Sequence, residues 1–408
     1  MFVQLKLLLW FRRESEMGKI IGLNGDEAVA YAVKQTNVDV IAAYPITPQT
    51  IIVERLSEYV HNGELEAAFV PVESEHSALS ATVGAALTGA RVFTATASQG
   101  LALMYEILWI ASSLRLPIVM ALGNRAFSAP INIHCSHDDA MAARDAGWIE
   151  FFSENVQEAY DLTLIAFKSA ESCLLPAIVN LDAFILTHSL EGVEVLDDND
   201  VKRFLPDKRP IYPYPIDVEK PTTYGPLALY DYYIEMKRQQ AEAVKEAYGK
   251  IVNIMREYSE VSGRKYSPVK AYFMDDAEVA IVVLGSAAGT IRTVVRDLRS
   301  KGEKVGVLSL TLYRPFPEKE LMNAVKNVKV LAVMDRAYSY GAPGAPLFSD
   351  IAATLYNVEE KPMLFNVVYG LGGRDLTADH VKFVFNIAKE YLRKGIVEKK
   401  EIWIGVRE

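Results

Sequence analysis

From Gly18 onward the chain alternates between two hydrophobic rhythms. Short apolar runs, "VDVIAAY", "AAFVPV", "RVFTATA", "LPIVMAL" and "LLPAIVNLDAF", are separated by longer segments with helical spacing. "NGDEAVAYAVKQ" predicts a helix. Asn24 or Asp26 caps it, Asp26 and Glu27 suit its N-terminal end, and Ala28, Val29, Ala32 and Val33 form one apolar face. "TIIVERLSEYV" and "ESEHSALSATVGAALTGA" predict two more helices. Strands that read as continuous apolar runs, rather than alternating ones, are buried on both faces. The pattern therefore predicts a parallel sheet covered by helices. This first block is assigned to residues 18–204, its clear alternation running to about Leu190.

The rhythm is lost between Leu205 and Pro226, where "LPDKRPIYPYPIDVEKPTTYGP" carries six prolines. Such a stretch reads as a linker or extended arm. A charged helical segment from Leu227 to about Tyr258 follows. Its apolar positions keep no strict heptad, which suggests a surface helix bridging domains rather than a coiled coil. Linker and helix together span 205–268. A second α/β block, 269–408, contains "AEVAIVVLGS", a helix near Thr290 to Ser300, "KVGVLSLTLYRPF", "VKVLAVMD", "KPMLFNVVYG" and the helix "TADHVKFVFNIAKEYLRK". The predicted fold class is α/β, with two doubly wound domains. Residues 1–17 read as an extension outside the fold. Their apolar part, Leu5 to Phe11, is too short to span a bilayer and precedes Arg12 and Arg13, the reverse of a signal peptide.

Composition narrows the chemistry. The 408 residues are 50% hydrophobic and 23% charged, with a formal net charge of -9. An acidic chain of this kind argues against nucleic acid or an anionic membrane as partner. Two cysteines, Cys135 and Cys173, cannot supply the four ligands of an iron–sulfur cluster, and six histidines make structural zinc a poor expectation. Few cysteines and no export signal point to a reducing cytoplasm.

Polar residues gather where apolar runs end. "YPITP" places Pro45 and Pro48 behind "VDVIAA", where they suit a rigid loop at a strand's C-terminal end. The plainer reading is a stiff strand-to-helix connection with Thr47 or Thr50 as helix cap. In "VPVESEHSA", Glu75 opens a helix of small residues, either as a satisfied helix-terminus acid or as a functional acid in an apolar pocket. "TASQGL" could present backbone N–H groups of Ser98, Gln99 and Gly100, but lacks the glycine spacing of a P-loop. Arg125, just past "LPIVMAL", either holds a small carboxylate or forms a surface ion pair. His134, His137, Asp138 and Asp139 have a metal-like density without helical register, so no metal site is assigned.

Taken together and in order, "YPITP", "VESEHSA", "TASQGL", "NRA" with "SAP", "ARDAGW" and "GLGGRD" resemble the α subunits of 2-oxoacid:ferredoxin oxidoreductases, the pyruvate enzymes above all. The resemblance runs from Gly22 to the final helix. It implies a thiamine diphosphate pyrimidine-binding-like domain followed by a transketolase C-terminal-like domain. It also implies oxidative decarboxylation of pyruvate to acetyl-CoA and CO2, with electrons passing to ferredoxin. In the same comparison Glu75 matches the glutamate on the aminopyrimidine ring, Thr47 and Arg125 match substrate-binding residues, and Tyr44, Pro45 and Gln99 fall at the cofactor. The Gly-Asp-Gly…Asn signature for magnesium and diphosphate is missing. The resemblance therefore implies a β subunit that supplies those groups and a cluster, a cysteine-rich δ subunit and a γ subunit, with pyruvate and coenzyme A as small-molecule partners. Two alternatives stand beside it: a machine for branched-chain 2-oxo acids, and a non-catalytic binding subunit of the same fold.

Overall fold

The computed structural model describes residues 19–207, 216 and 219–407. The expected extension over 1–17 and part of the proline-rich stretch lie outside them. The first half runs β1 (Lys19–Leu23), α1 (Gly25–Gln35), β2 (Val40–Ala43), α2 (Thr50–His61), β3 (Ala68–Pro71), α3 (Glu75–Leu87), β4 (Val92–Thr96), α4 (Gln99–Ser113) and β5 (Ile118–Asn124). It continues with α5 (Asp138–Ala143), β6 (Ile149–Phe152), α6 (Val156–Cys173), β7 (Ala177–Asp182), β8 (Glu191–Val195), α7 (Asp198–Phe204) and the long α8 (Tyr233–Ser262). The second half comprises β9 (Val269–Tyr272), β10 (Val279–Leu284), α9 (Ala287–Ser300), β11 (Val305–Leu310), β12 (Leu312–Arg314), α10 (Glu318–Val325) and β13 (Val330–Asp335). It closes with α11 (Pro346–Leu355), β14 (Met363–Val368), α12 (Ala378–Lys394) and β15 (Glu401–Trp403).

The first sheet has the order β12-β6-β7-β5-β4-β2-β3, and its six strands from the first half pair in parallel. Every residue of β4, β5 and β7 is buried, which is why their sequences read as unbroken apolar runs. β3 and β4 lie on opposite sides of β2, so the winding direction reverses there. Loops at the carboxyl ends of strands beside such a reversal are the usual ligand sites of doubly wound sheets.

The second sheet, β15-β14-β13-β10-β11-β9, is parallel except for β9. "KVGVLSLTLYRPF" reads as a single strand but splits into two. β11 stays in the second sheet, whereas β12 crosses over and pairs antiparallel with β6 of the first. Around this splice Phe152 and Tyr313 meet edge to face at 5.8 Å, in a buried core continuous from Ile178 and Met141 to Ala280 and Leu308. The long helix is less a bridge than expected. Its buried residues, Ala247, Ile251, Ile254, Met255 and Tyr258, join the core of the first sheet.

The carboxyl edges of the two sheets meet at Asp182, the last residue of β7. Its carboxylate accepts from Arg336 Nη1 at 2.9 Å, from the Ser286 backbone N–H at 3.1 Å and from the Ser286 hydroxyl, and pairs with His137 Nε2 at 2.8 Å. Ser286 follows β10 and Arg336 follows β13. Gly285 has φ +69°, and a Cβ there would lie 2.7 Å from Asp182 Oδ1, so glycine is what lets this turn close on the carboxylate.

Candidate active site

The loops after β2, β3, β4 and β5 form one group, because these strands are neighbours in the sheet. The loop after β2 carries "YPITP". Tyr44, Pro45 and Thr47 are exposed, while Pro48 and Gln49 are buried. Gln49 Nε2 donates to the carbonyl of Tyr44 at 3.0 Å, and Pro48 packs on Gly123 of β5. The N-cap of α2 is Gln49 and has no side-chain capping bond, so neither Thr47 nor Thr50 caps this helix. The prolines and the buried glutamine fix the loop, which leaves the hydroxyl of Thr47 with no bond among the described residues.

Arg125 follows β5 and is only 8% exposed, so it is not a surface ion-pair partner. It forms no salt bridge among the described residues. Nη1 donates to the carbonyl of Thr47 at 3.0 Å and Nε to that of Asn132 at 3.1 Å. Two neutral carbonyls orient the guanidinium without neutralising it. Nη2 and the second Nη1 hydrogen remain to take an anionic ligand beside Thr47.

Glu75 is the first residue of α3, whose N-cap Ser74 accepts from the Ser77 N–H. Its side chain is buried, at 6% exposure, and its carboxylate makes no hydrogen bond with a described residue. A buried acid is ordinarily partnered, so one without a partner among the described residues is a mark of ligand binding. The first turn of α4 lies against it. A Cβ on Gly100 would stand 2.6 Å from Glu75 Oε1 and 2.4 Å from Thr96 Oγ1. Gly100 is thus required by close approach.

Ser98 precedes α4 with φ +46° and ψ -117°, a backbone region costly for any residue with a side chain. Its hydroxyl donates to the carbonyl of Ala126 at 2.7 Å and lies 2.6 Å from Gln99 Oε1. Its N–H donates to Asp139 Oδ2 at 3.0 Å. The same Oδ2 accepts from the Arg125 N–H at 3.0 Å, and Oδ1 accepts from Asn124 Nδ2 and the Ala140 N–H. Asp139 therefore ties the turn beside Glu75 to the residue beside Thr47. Burial pushes its carboxyl up to about 6 although four donors favour the charged form.

Sequence reasoning placed Asp139 only in a metal-like group, and the structure disperses that group. Asp139 faces backbone N–H donors, His137 faces Asp182, and Asp138 accepts from Ser136. Cys135, His137 and Asp182 do approach one another within 4.8 Å. Arg336 already supplies a cation there, donating to both Cys135 Sγ and Asp182. No sequence pattern around Asp139 signals this role, because three of its four donors are backbone N–H groups. Both cysteines are free and buried, and burial pushes the Cys173 thiol up to about 11.

Residues 31–256 match the family described as pyruvate flavodoxin/ferredoxin oxidoreductase, thiamine diphosphate-binding, and residues 277–381 match pyruvate:ferredoxin oxidoreductase core domain II. The chain belongs to the pyruvate flavodoxin/ferredoxin oxidoreductase family. It is 50% identical to pyruvate synthase subunit PorA of Thermotoga maritima, over 95% of this chain and 98% of the relative. It is 44% identical to ketoisovalerate oxidoreductase subunit VorA of Pyrococcus abyssi, over 94% and 97%. Among solved structures, a 2-oxoglutarate:ferredoxin oxidoreductase from Magnetococcus marinus with 2-oxoglutarate, coenzyme A and succinyl-CoA bound superposes with a TM-score of 0.68. It is 19% identical, and the match covers 91% of this chain and 65% of that one. A split-gene transketolase, an inactive β4 tetramer, superposes at 0.56 with 13% identity, covering 90% and 98%. These two likenesses show the fold, and they agree with the two thiamine-enzyme-like domains expected from the sequence. No helix among the described residues is long and apolar enough to cross a membrane.

Proposed function

We propose that this chain is the α subunit of a pyruvate synthase, which oxidatively decarboxylates pyruvate to acetyl-CoA and CO2 and passes the electrons to ferredoxin. The observation that carries the reading is the buried carboxylate of Glu75, without a hydrogen-bond partner among the described residues, in a group of loops that also holds Arg125 beside Thr47. Thiamine diphosphate, when bound, supplies the electron sink for loss of CO2. Glu75, which lies in the space that Gly100 keeps open, is suited to hold a proton shared with a ring nitrogen of the cofactor's aminopyrimidine. Tyr44, Pro45 and Gln99, on the same group of loops, are the further residues proposed to contact the cofactor. Arg125 takes the substrate carboxylate through Nη2 and the second Nη1 hydrogen, and the Thr47 hydroxyl donates to the adjacent carbonyl oxygen.

We assign diphosphate and Mg²⁺, for which this chain carries no Gly-Asp-Gly…Asn signature, to a β subunit, with clusters there and on a δ-type subunit, a γ subunit alongside, and coenzyme A as acceptor. The exposed rim formed by Tyr44, Pro45 and Thr47 suits a site completed by another chain. The assembly is a cytoplasmic enzyme. Pyruvate is preferred over branched-chain acids because identity to the PorA relative exceeds that to the VorA relative. The test is ferredoxin reduction by the assembled enzyme with coenzyme A and either pyruvate or 2-oxoisovalerate. A higher kcat/KM for pyruvate supports the reading, and a higher value for 2-oxoisovalerate overturns the substrate assignment.

A further inference from the structure

Beyond the ends of β14 and β15 lies a cavity of about 240 Å³ that none of Glu75, Thr47 and Arg125 lines. Arg374, Arg407 and Trp403 line it together with the backbone of Gly370 and Gly405, and no acidic side chain does. Neither guanidinium makes a hydrogen bond or ion pair with a described residue. Arg55, Arg91, Arg264, Arg292, Arg314 and Arg336 are all paired with carboxylates. Two unpaired guanidiniums converging on one concavity favour a ligand with more than one negative charge.

The third wall has a different chemistry. The Trp403 indole is 43% exposed, has its Nε1 held by Glu401 at 2.8 Å, and is backed by the Tyr338 ring at 4.9 Å. A tethered, half-exposed indole beside two arginines suits a planar base carried on phosphates. The location agrees, since the carboxyl edge of a parallel sheet is where doubly wound domains bind ligands. We propose that this cavity binds a purine nucleoside diphosphate moiety, with the phosphates on Arg374 and Arg407 and the base against Trp403.

The cavity is also joined to the first domain. Its glycine turn continues to Gly372 and Gly373. The carbonyl of Gly372 accepts from Asn132 Nδ2 at 3.1 Å, and the N–H of Gly373 donates to the carbonyl of Cys135 at 2.8 Å. Asn132 in turn orients Arg125 through its carbonyl. Occupancy of the cavity therefore bears on the segment that carries Arg125.

Calorimetric titration of the full chain with ADP, and separately with inorganic pyrophosphate, tests the site without any turnover of pyruvate. ADP should bind one to one, more weakly as salt rises, and more tightly than pyrophosphate. Arg374→Gln and Arg407→Gln should each weaken both probes by about tenfold. Trp403→Leu should weaken ADP by about tenfold and leave pyrophosphate unchanged. Absence of ADP binding, or binding indifferent to the arginine changes, overturns the site. Equal affinity for pyrophosphate and ADP overturns the nucleotide reading. A purine nucleoside diphosphate occurs free and as one end of coenzyme A. Displacement of ADP by coenzyme A supports the site with the cofactor's nucleotide end as its occupant, and ADP binding that coenzyme A leaves untouched supports it with a free nucleotide. Only the coenzyme A arm leans on the function proposed above.

Discussion

Arg125 donates from Nη1 to the carbonyl oxygen of Thr47 across 3.0 Å, so the backbone of one site residue aims the side chain of the other. A lysine at 125 would keep the charge. It could not serve the carbonyls of Thr47 and Asn132 and still present two donors to a carboxylate. Arg125→Lys should therefore cost about 1–3 kcal/mol in kcat/KM for pyruvate. Thr47→Val keeps the carbonyl that holds Arg125 and removes only the hydroxyl, with a loss of similar size. Because both groups act on one small molecule, the double variant should be non-additive. Steady-state kinetics of the four enzymes checks this, and full pyruvate turnover by Arg125→Lys would remove Arg125 from the substrate site.

Gly100→Ala should act on Glu75 without touching any ligand directly. The added Cβ would meet Glu75 Oε1 and Thr96 Oγ1 well inside contact distance. Overpacking of this kind costs about 1–3 kcal/mol. We expect a lower Tm together with lost activity, measured by thermal unfolding and turnover of the same preparation. An alanine variant with wild-type Tm and activity would mean that the turn does not press on Glu75.

Asp139→Asn tests the link between the two halves of the site. Asn offers one acceptor oxygen where the carboxylate uses two, so one pair of N–H donors is left facing an amide NH2. Pyruvate kcat/KM should fall at least about tenfold, since a donor pair that loses its acceptor loosens the tie between the Ser98 turn and the Arg125 loop. The pH dependence has a definite sign. The folded carboxyl titrates at about 6, above its ordinary value of 3.8, so the native state holds a proton that the unfolded chain releases first. This group's contribution to stability is largest below pH 4, falls as pH climbs towards 6 and is level above. Chemical denaturation of both proteins across that window should show their stability difference drifting by pH 6 and constant beyond. A difference independent of pH would contradict the assigned titration.

How legible this was in the sequence depended on how local each signal is. The buried strands announced themselves because β4, β5 and β7 are apolar at nearly every position, and Asn24 declared the start of α1 through its capping box with Glu27. β12 was hidden, because a three-residue strand directly following β11 gives no break in the apolar run, and its partner β6 is distant in the chain, a pairing that no local pattern reports. α6 was missed as a helix because it is buried almost all round, with Glu158, Asp161 and Glu171 inside among its apolar residues, so its polar positions do not mark a solvent face. Of the site, Glu75, Thr47 and Arg125 were visible as chemistry at strand ends. Asp139 was not, because three of its four donors are backbone N–H groups that carry no sequence signature.

The central claim is that Glu75 of this chain serves the aminopyrimidine of thiamine diphosphate, and proton–deuterium exchange at C2 of the bound cofactor addresses it most directly. Exchange is measured on the assembled enzyme without pyruvate, in wild type and in Glu75→Gln, which preserves the volume against Gly100 and removes the charge. The account predicts a rate lower by about 10²–10⁴, with assembly and cofactor content retained. Exchange at the wild-type rate in a fully loaded Glu75→Gln enzyme would contradict it.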